Sequence, residues 1–156
     1  PSRAMMQECR RNAEAQGVAE RCRFHTGYLD SLPEEAEFDA ATSFLVSQFI
    51  LDPKARIGLF SQIAARLKPA GILASSDLTA RADPQQQARL MTLWAQVVAA
   101  EPVTPQVVAR MQQTYRQDVA VLPADNVEAL IRQAGFTAPI PFFQAGMIRA
   151  WSARRD

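Results

Sequence analysis

The chain is poor in the residues that carry chemistry by themselves. It has one histidine, His25, and two cysteines, Cys9 and Cys22, in 156 residues. A single histidine excludes HExxH, and no Ser-His-Asp set is present. His25 sits beside Arg23 in an alternating stretch and reads as solvent-facing or structural. The cysteines stand in neither a CxxC nor a zinc spacing, which suits a reducing, cytoplasmic setting. Lysine is nearly absent: Lys54 and Lys68 are the only two, and the net charge is +1. That balance gives no global pull toward nucleic acid. Arg10, Arg11, Arg21 and Arg23 are diluted by Glu8, Glu14 and Glu20 and read as a solvated face. No apolar run reaches roughly 18 residues, so no membrane-spanning helix is expected, and no signal peptide is visible. The glycines are scattered, so no glycine-rich loop occurs.

What is present is a periodic core. Hydrophobic residues make up 48% and charged residues 21%, the balance of a folded single domain rather than of a disordered chain. Residues 38–45 form a nearly continuous apolar run broken only by Asp39, Thr42 and Ser43, as in a strand buried on both faces of a parallel sheet. Asp52 and Pro53 then give an N-cap carboxylate and the residue tolerated at the first helical position. Ile57, Phe60, Ile63, Ala64 and Leu67 recur at threes and fours, opposite a polar side of Lys54, Arg56, Gln62 and Arg66. Pro69 and Gly71 stop the helix, and residues 72–76 form the next strand. Strand, helix and strand in about 35 residues make a right-handed crossover of a parallel sheet.

The flanking segments complete the pattern. Ser2 caps a helix over residues 4–16, with Met5, Cys9 and Ala13 on one stripe and Gly17 as its stop. Residues 22–26 alternate and end at Gly27, the pattern of a strand. Residues 78–83 read as a loop. Asp83-Pro84 opens a helix through about residue 100 with Met91, Trp94, Val97 and Val98 inward, residues 101–105 break it, and Thr104-Pro105 opens another to about residue 118 with Val107, Val108, Met111 and Tyr115 along one side. Residues 126–134 are an amphipathic helix through Val127, Leu130 and Ile131. Residues 138–144 and 147–153 read as strands turning at Ala145-Gly146, an antiparallel hairpin.

Phe38-Asp39 opening a strand, a helix ending in Leu67-Lys68-Pro69-Ala70-Gly71, an apolar strand ending in Asp77, and Ala134-Gly135-Phe136 after the later helix resemble a class I S-adenosylmethionine-dependent methyltransferase. The family's turn is Leu-Lys-Pro-Gly-Gly. Ala70 replaces its first glycine, at a cost of about 1 kcal/mol if the residue lies at positive φ. The resemblance implies an α/β fold: a Rossmann-like methyltransferase sheet with helices on both faces, closed by a C-terminal antiparallel hairpin that a nicotinamide dehydrogenase lacks. Residues 1–156 are then a single partial domain, with residues 82–120 inserted as a helical lid. In the family an acid ending the second strand, which bonds the ribose, precedes the helix that here begins the chain. The family's glycine-rich loop lies further upstream. Strands 1 and 2, about 50 or more residues, are therefore expected to be missing. This fragment is expected to bind the cofactor poorly and to be inactive alone, with residues 2–26 swung away, swapped or packed outside the family pattern.

The chain is also similar to the carboxy-S-adenosylmethionine synthase type of tRNA-modification enzyme, through Ala4-Met5, Cys9-Arg10-Arg11, Gln48-Phe49 and Phe143-Gln144. That family's Lys-Arg lid pair is absent around residues 112–116 and Phe44 replaces its asparagine, so the ordinary methyl donor is expected.

The resemblance thus implies S-adenosylmethionine as cofactor, held by Ser2, Met5, Gly27, Tyr28, Leu29, Phe44 and Leu45. Tyr28 stands where the family has an acid and is suited to stack on the adenine. Methyl transfer from a sulfonium is an in-line displacement that needs alignment and exclusion of water, not a nucleophile or a metal. Ser47 and Gln48 then point toward the methyl group or the substrate. Asp77 either orients an acceptor amine or hydroxyl and takes its proton, or bonds backbone amides in the following turn. Trp94, Tyr115 and Arg116 are the substrate residues expected for an aromatic or anionic acceptor, with a core role open for Trp94. The acceptor expected is a small molecule, with a tRNA base as second option, and a homodimer is allowed. The competing reading is a non-catalytic methyltransferase-like interaction module.

Overall fold

The computed structural model describes residues 2–32, 38–100 and 102–156. They fall into two compact units, residues 1–36 and residues 37–156.

The first unit is built on helix α1 (Arg3–Ala15). Ser2 caps it as expected, its hydroxyl accepting from the Met5 amide at 3.3 Å, and Gly17 leaves the helix at φ +64°. Pro1, adjoining that cap, lies outside the described residues. The strand expected over residues 22–26 does not form. The segment has no regular secondary structure between 3-10 turns at Ala19–Arg21 and Leu29–Ser31 and takes no ladder partner among the described residues. Alternation marks a strand only where a neighbour supplies its hydrogen bonds. The Arg10 guanidinium lies 4.5 Å over the Phe24 ring and Arg11 pairs with Glu8, so the basic face carries local partners.

The second unit holds the crossover. Strand β1 (Phe38–Phe44) leads to helix α2 (Pro53–Arg66), whose cap Asp52 accepts from the Lys54 and Ala55 amides, and then to strand β2 (Leu67–Ala80), parallel to β1. Helices α3 (Pro84–Val98) and α4 (Pro105–Asp118) follow, then a short strand β3 (Leu122–Pro123), helix α5 (Ala124–Gln133) and the hairpin β4 (Ile140–Ala145) and β5 (Ile148–Arg154). The sheet order is β1-β2-β5-β4, with β5 antiparallel to both neighbours and β3 parallel to the end of β2. No helix among the described residues is long and apolar enough to cross a membrane.

Several expectations change here. β1 is not buried on both faces. It ends the sheet path, Phe38 and Phe44 are exposed, and only Ser43 of the strand is buried. β2 does not give way to a loop at residue 78, because β5 pairs with it through Leu78 and β3 takes Thr79 and Ala80. Val97 and Val98 face solvent, since the last turn of α3 runs past the cluster of Leu78, Met91, Trp94, Val119 and Met147. Glu101, in the expected helix break, lies outside the described residues. Arg56 and Arg66, assigned to a polar helix side, are buried.

Side-chain alternation along β2 assigns the layers. Leu73, Ser75 and Asp77 share one face and Leu78 lies on the other. Asp77 meets α2 through Arg56, and Trp151, paired with Ser75, donates from its indole to Glu128 of α5 at 2.9 Å. Leu78 packs instead with Met91 and Trp94 of α3. Helices thus cover both faces where the parallel strands end. In the turn into β2, Ala70 sits at φ +61°. A side chain at Gly71 would press within 2.8 Å of the Lys68 carbonyl oxygen, so that second glycine is sterically required.

Candidate functional site

The C-terminal ends of β1 and β2 are joined by a buried polar network. Leu45 follows β1 at φ +55°, an unusual conformation for a branched residue, fixed by its amide donating to Ser76 at 2.8 Å. The chain then enters a 3-10 turn, Ser47–Phe49, in which Ser47 and Gln48 are buried. The Ser47 hydroxyl lies 2.9 Å from both carboxylate oxygens of Asp77. Arg56 closes the group: its Nε donates to Ser47 Oγ at 2.9 Å, its Nη1 to the Ala120 carbonyl at 3.1 Å, and its Nη2 lies 3.1 Å from Asp77 Oδ2. That last contact is an ion pair without hydrogen-bond geometry. Arg56 and Asp77 are fully buried.

Burial pushes the Asp77 carboxyl above its ordinary range, against the pull of the Arg56 charge, the Ser47 hydroxyl and the Gln48 amide. Asp77 therefore does not end its strand at an open site, and its main partners are side chains rather than turn amides. Gln48 is equally engaged: its side-chain oxygen accepts from the Leu78 amide at 2.7 Å and its carbonyl from the Ala120 amide at 2.7 Å.

Open space lies on the other face. A cavity of about 490 Å³ runs between α3 and α4 at the C-terminal end of β2 and the start of β3, floored by Met91, Val119 and Leu122, with Gln87, Gln112, Tyr115 and Arg116 as its polar lining. Tyr115 and Arg116 are thus brought together. Trp94 stands behind them, donating from its indole to the Tyr115 hydroxyl at 2.8 Å, with its ring so close to Gly146 that a Cβ there would come within 3.0 Å. It is a core residue that holds a lining residue.

The expected cofactor residues divide between the units. In the first, Met5 and Tyr28 are exposed, Leu29 is half-buried, and Ser31 Oγ lies 2.9 Å from His25 Nε2. A side chain at Gly27 would collide with that pair. In the second, Phe44 is exposed at the end of β1 and Leu45 packs inward. Tyr28 in the first unit and Phe44 in the second each carry an exposed ring. Among the described residues no cluster of His, Cys, Asp or Glu could hold a metal.

Residues 1–71 match the family model described as a methyltransferase domain. Similar solved structures include a possible exported protein from Bordetella parapertussis, 19% identical at a TM-score of 0.70, covering 99% of this chain and 51% of its own. The S-adenosylmethionine-dependent methyltransferase SibL is 16% identical at 0.67, covering 98% of this chain and 41% of its own. The mitomycin 7-O-methyltransferase MmcR is 16% identical at 0.67, covering 99% and 40%. The fold is that of a class I methyltransferase. The chain spans about half or less of the length of these structures. No curated protein matches it.

Within this methyltransferase fold the sequence pointed to Asp77, Gln48, Tyr115 and Arg116 but not to Arg56. The missed signal was spacing: Arg56, Phe60 and Ile63 stand at i, i+4 and i+7, which places the arginine on the apolar stripe.

Proposed function

We propose that the protein transfers a methyl group from S-adenosylmethionine to a small molecule held between α3 and α4. The observation that carries this reading is the cavity at the C-terminal end of β2 in a methyltransferase fold. Ligands of open parallel sheets sit at such ends, and about 300–1,000 Å³ is the usual range for small-molecule sites.

S-adenosylmethionine, when bound, supplies an activated methyl group. This chain's residues bind, orient and keep water out. In the second unit Phe44 and Leu45 offer the cofactor apolar surface at the end of β1; in the first unit, taken by itself, the candidates are Ser2, Met5, Gly27, Tyr28 and Leu29, with the exposed Tyr28 ring suited to stack on an adenine. Tyr115 and Arg116 face an acceptor with an aromatic body and an anionic group, Arg116 being the one charged residue of the lining among the described residues. Asp77 and Gln48 act by fixing the loop beside the reaction rather than by touching the acceptor. The cavity's size favours a small acceptor over a tRNA base, and a single lining cation favours the ordinary donor over its carboxylated form. A cytoplasmic setting accords with the free, exposed Cys9 and Cys22.

One observation favours the non-catalytic module: the acid-base candidate Asp77 and the substrate-facing candidate Gln48 are both buried in structural bonds. Thermal unfolding of the full-length protein separates the readings, because these residues alone are expected to bind the cofactor poorly. S-adenosylhomocysteine at one hundred times its Kd should stabilise by about 2.7 kcal/mol, raising Tm by about 5–10 °C. Turnover of small aromatic carboxylates with labelled S-adenosylmethionine then supports the enzyme. Binding without turnover supports the module, and no shift at millimolar ligand removes the cofactor from the reading.

A further inference from the structure

We propose that Arg56 is a positioning residue for the acceptor, shaping one wall of the α3–α4 cavity from the protein interior. The inference rests on the reading of that cavity as the acceptor site. Residues 119–121, between α4 and β3, line the cavity and belong to neither a helix nor a strand. Two bonds from the β1–α2 side hold Ala120: Arg56 Nη1 to its carbonyl at 3.1 Å, and its amide to the Gln48 carbonyl at 2.7 Å. Gln48 is in turn fixed by the Leu78 amide, and Arg56 by Ser47 and Asp77. One guanidinium thus reaches the loop after β1, the C-terminal part of β2 and the exit of α4, so that the wall follows the loop. This use needs a planar fork with several donors at fixed angles, which an ammonium group lacks.

Arg56→Lys keeps a positive charge near Asp77 and loses the fork. Amide hydrogen exchange read by NMR should then quicken at least tenfold at Ala120 while Leu130 and Ile131 of α5 change less than twofold. 2-Naphthoate, an apolar anion followed by the Met91 methyl signal, should bind at least fivefold more weakly, with the Kd for S-adenosylhomocysteine unchanged within twofold. Should Arg56→Lys not fold, Ser47→Ala removes one acceptor of the fork and leaves the ion pair, and the same pattern is expected at threefold or more. Equal acceleration at Ala120 and in α5, or unchanged naphthoate binding despite faster exchange, overturns the proposal by making Arg56 merely structural. If 2-naphthoate fails to bind the unsubstituted chain, the acceptor reading of the cavity falls and the proposal with it, a result distinct from equal binding by both chains.

Discussion

Two residues depart from what their neighbours make easy. Ala70 stands at φ +61°, where a Cβ is unfavourable and glycine is at ease. Ala70→Gly should stabilise the chain by about 1 kcal/mol, read as a higher urea midpoint at unchanged slope. Asp77 is the second. Removing its whole carboxyl group strips Ser47 and Arg56 of their shared buried acceptor and leaves a void, so Asp77→Ala should cost about 3–5 kcal/mol at neutral pH. Its titration has a definite sign. With the folded pKa raised above 3.8, the native state holds a proton that the unfolded chain has released. Stability from this group therefore falls as pH rises from about 4 through the folded pKa and is flat above it. Asp39 acts oppositely: the Lys68 hydrogen bond and charge lower its pKa, so its contribution is lost only as pH falls below 3.8. Urea titrations at several pH values should show the Asp77 slope in the parent chain and its absence in Asp77→Asn.

At the scale of elements, what could be read locally was read. The caps Ser2, Asp52, Asp83 and Thr104 each accept from amides of the first turn, as the sequence implied, because capping depends on three or four adjacent residues. The crossover and the hairpin were legible for the same reason, each carrying its own periodicity and stop signals. Distant partners were not. Residues 22–26 alternate like a strand but lack a neighbour, whereas Leu122-Pro123, without any strand pattern, pairs because β2 ends beside it. Arg56 was put on the polar side because a charge usually lies there, although its spacing said otherwise. The cavity depends on how α3 meets α4, and here a small change should report. Tyr115→Phe leaves the Trp94 indole N–H without its partner, at a cost of about 1–3 kcal/mol, and should shift the tryptophan emission.

For the molecule as a whole, the unit of residues 37–156 rests on the antiparallel half of its sheet. β5 pairs with β2 from Ile72 to Leu78, and Ala150, Trp151 and Ala153 of β5 are all buried. Trp151 is the largest fully buried side chain, filling the space over α5. Trp151→Ala should therefore cost about 3–5 kcal/mol, read by calorimetry, more than the change proposed in α4.

The position of β2 has a consequence for how the polypeptide matures. Its partner β1 arrives early from across a short helix, whereas β5 is synthesised only after the whole of α3, α4 and α5. During translation one long edge of β2 stands bare, an invitation to pair with a neighbouring nascent copy. Slowing the ribosome between residues 80 and 140 should enrich insoluble product, and supplying the hairpin as a separate peptide should reduce it.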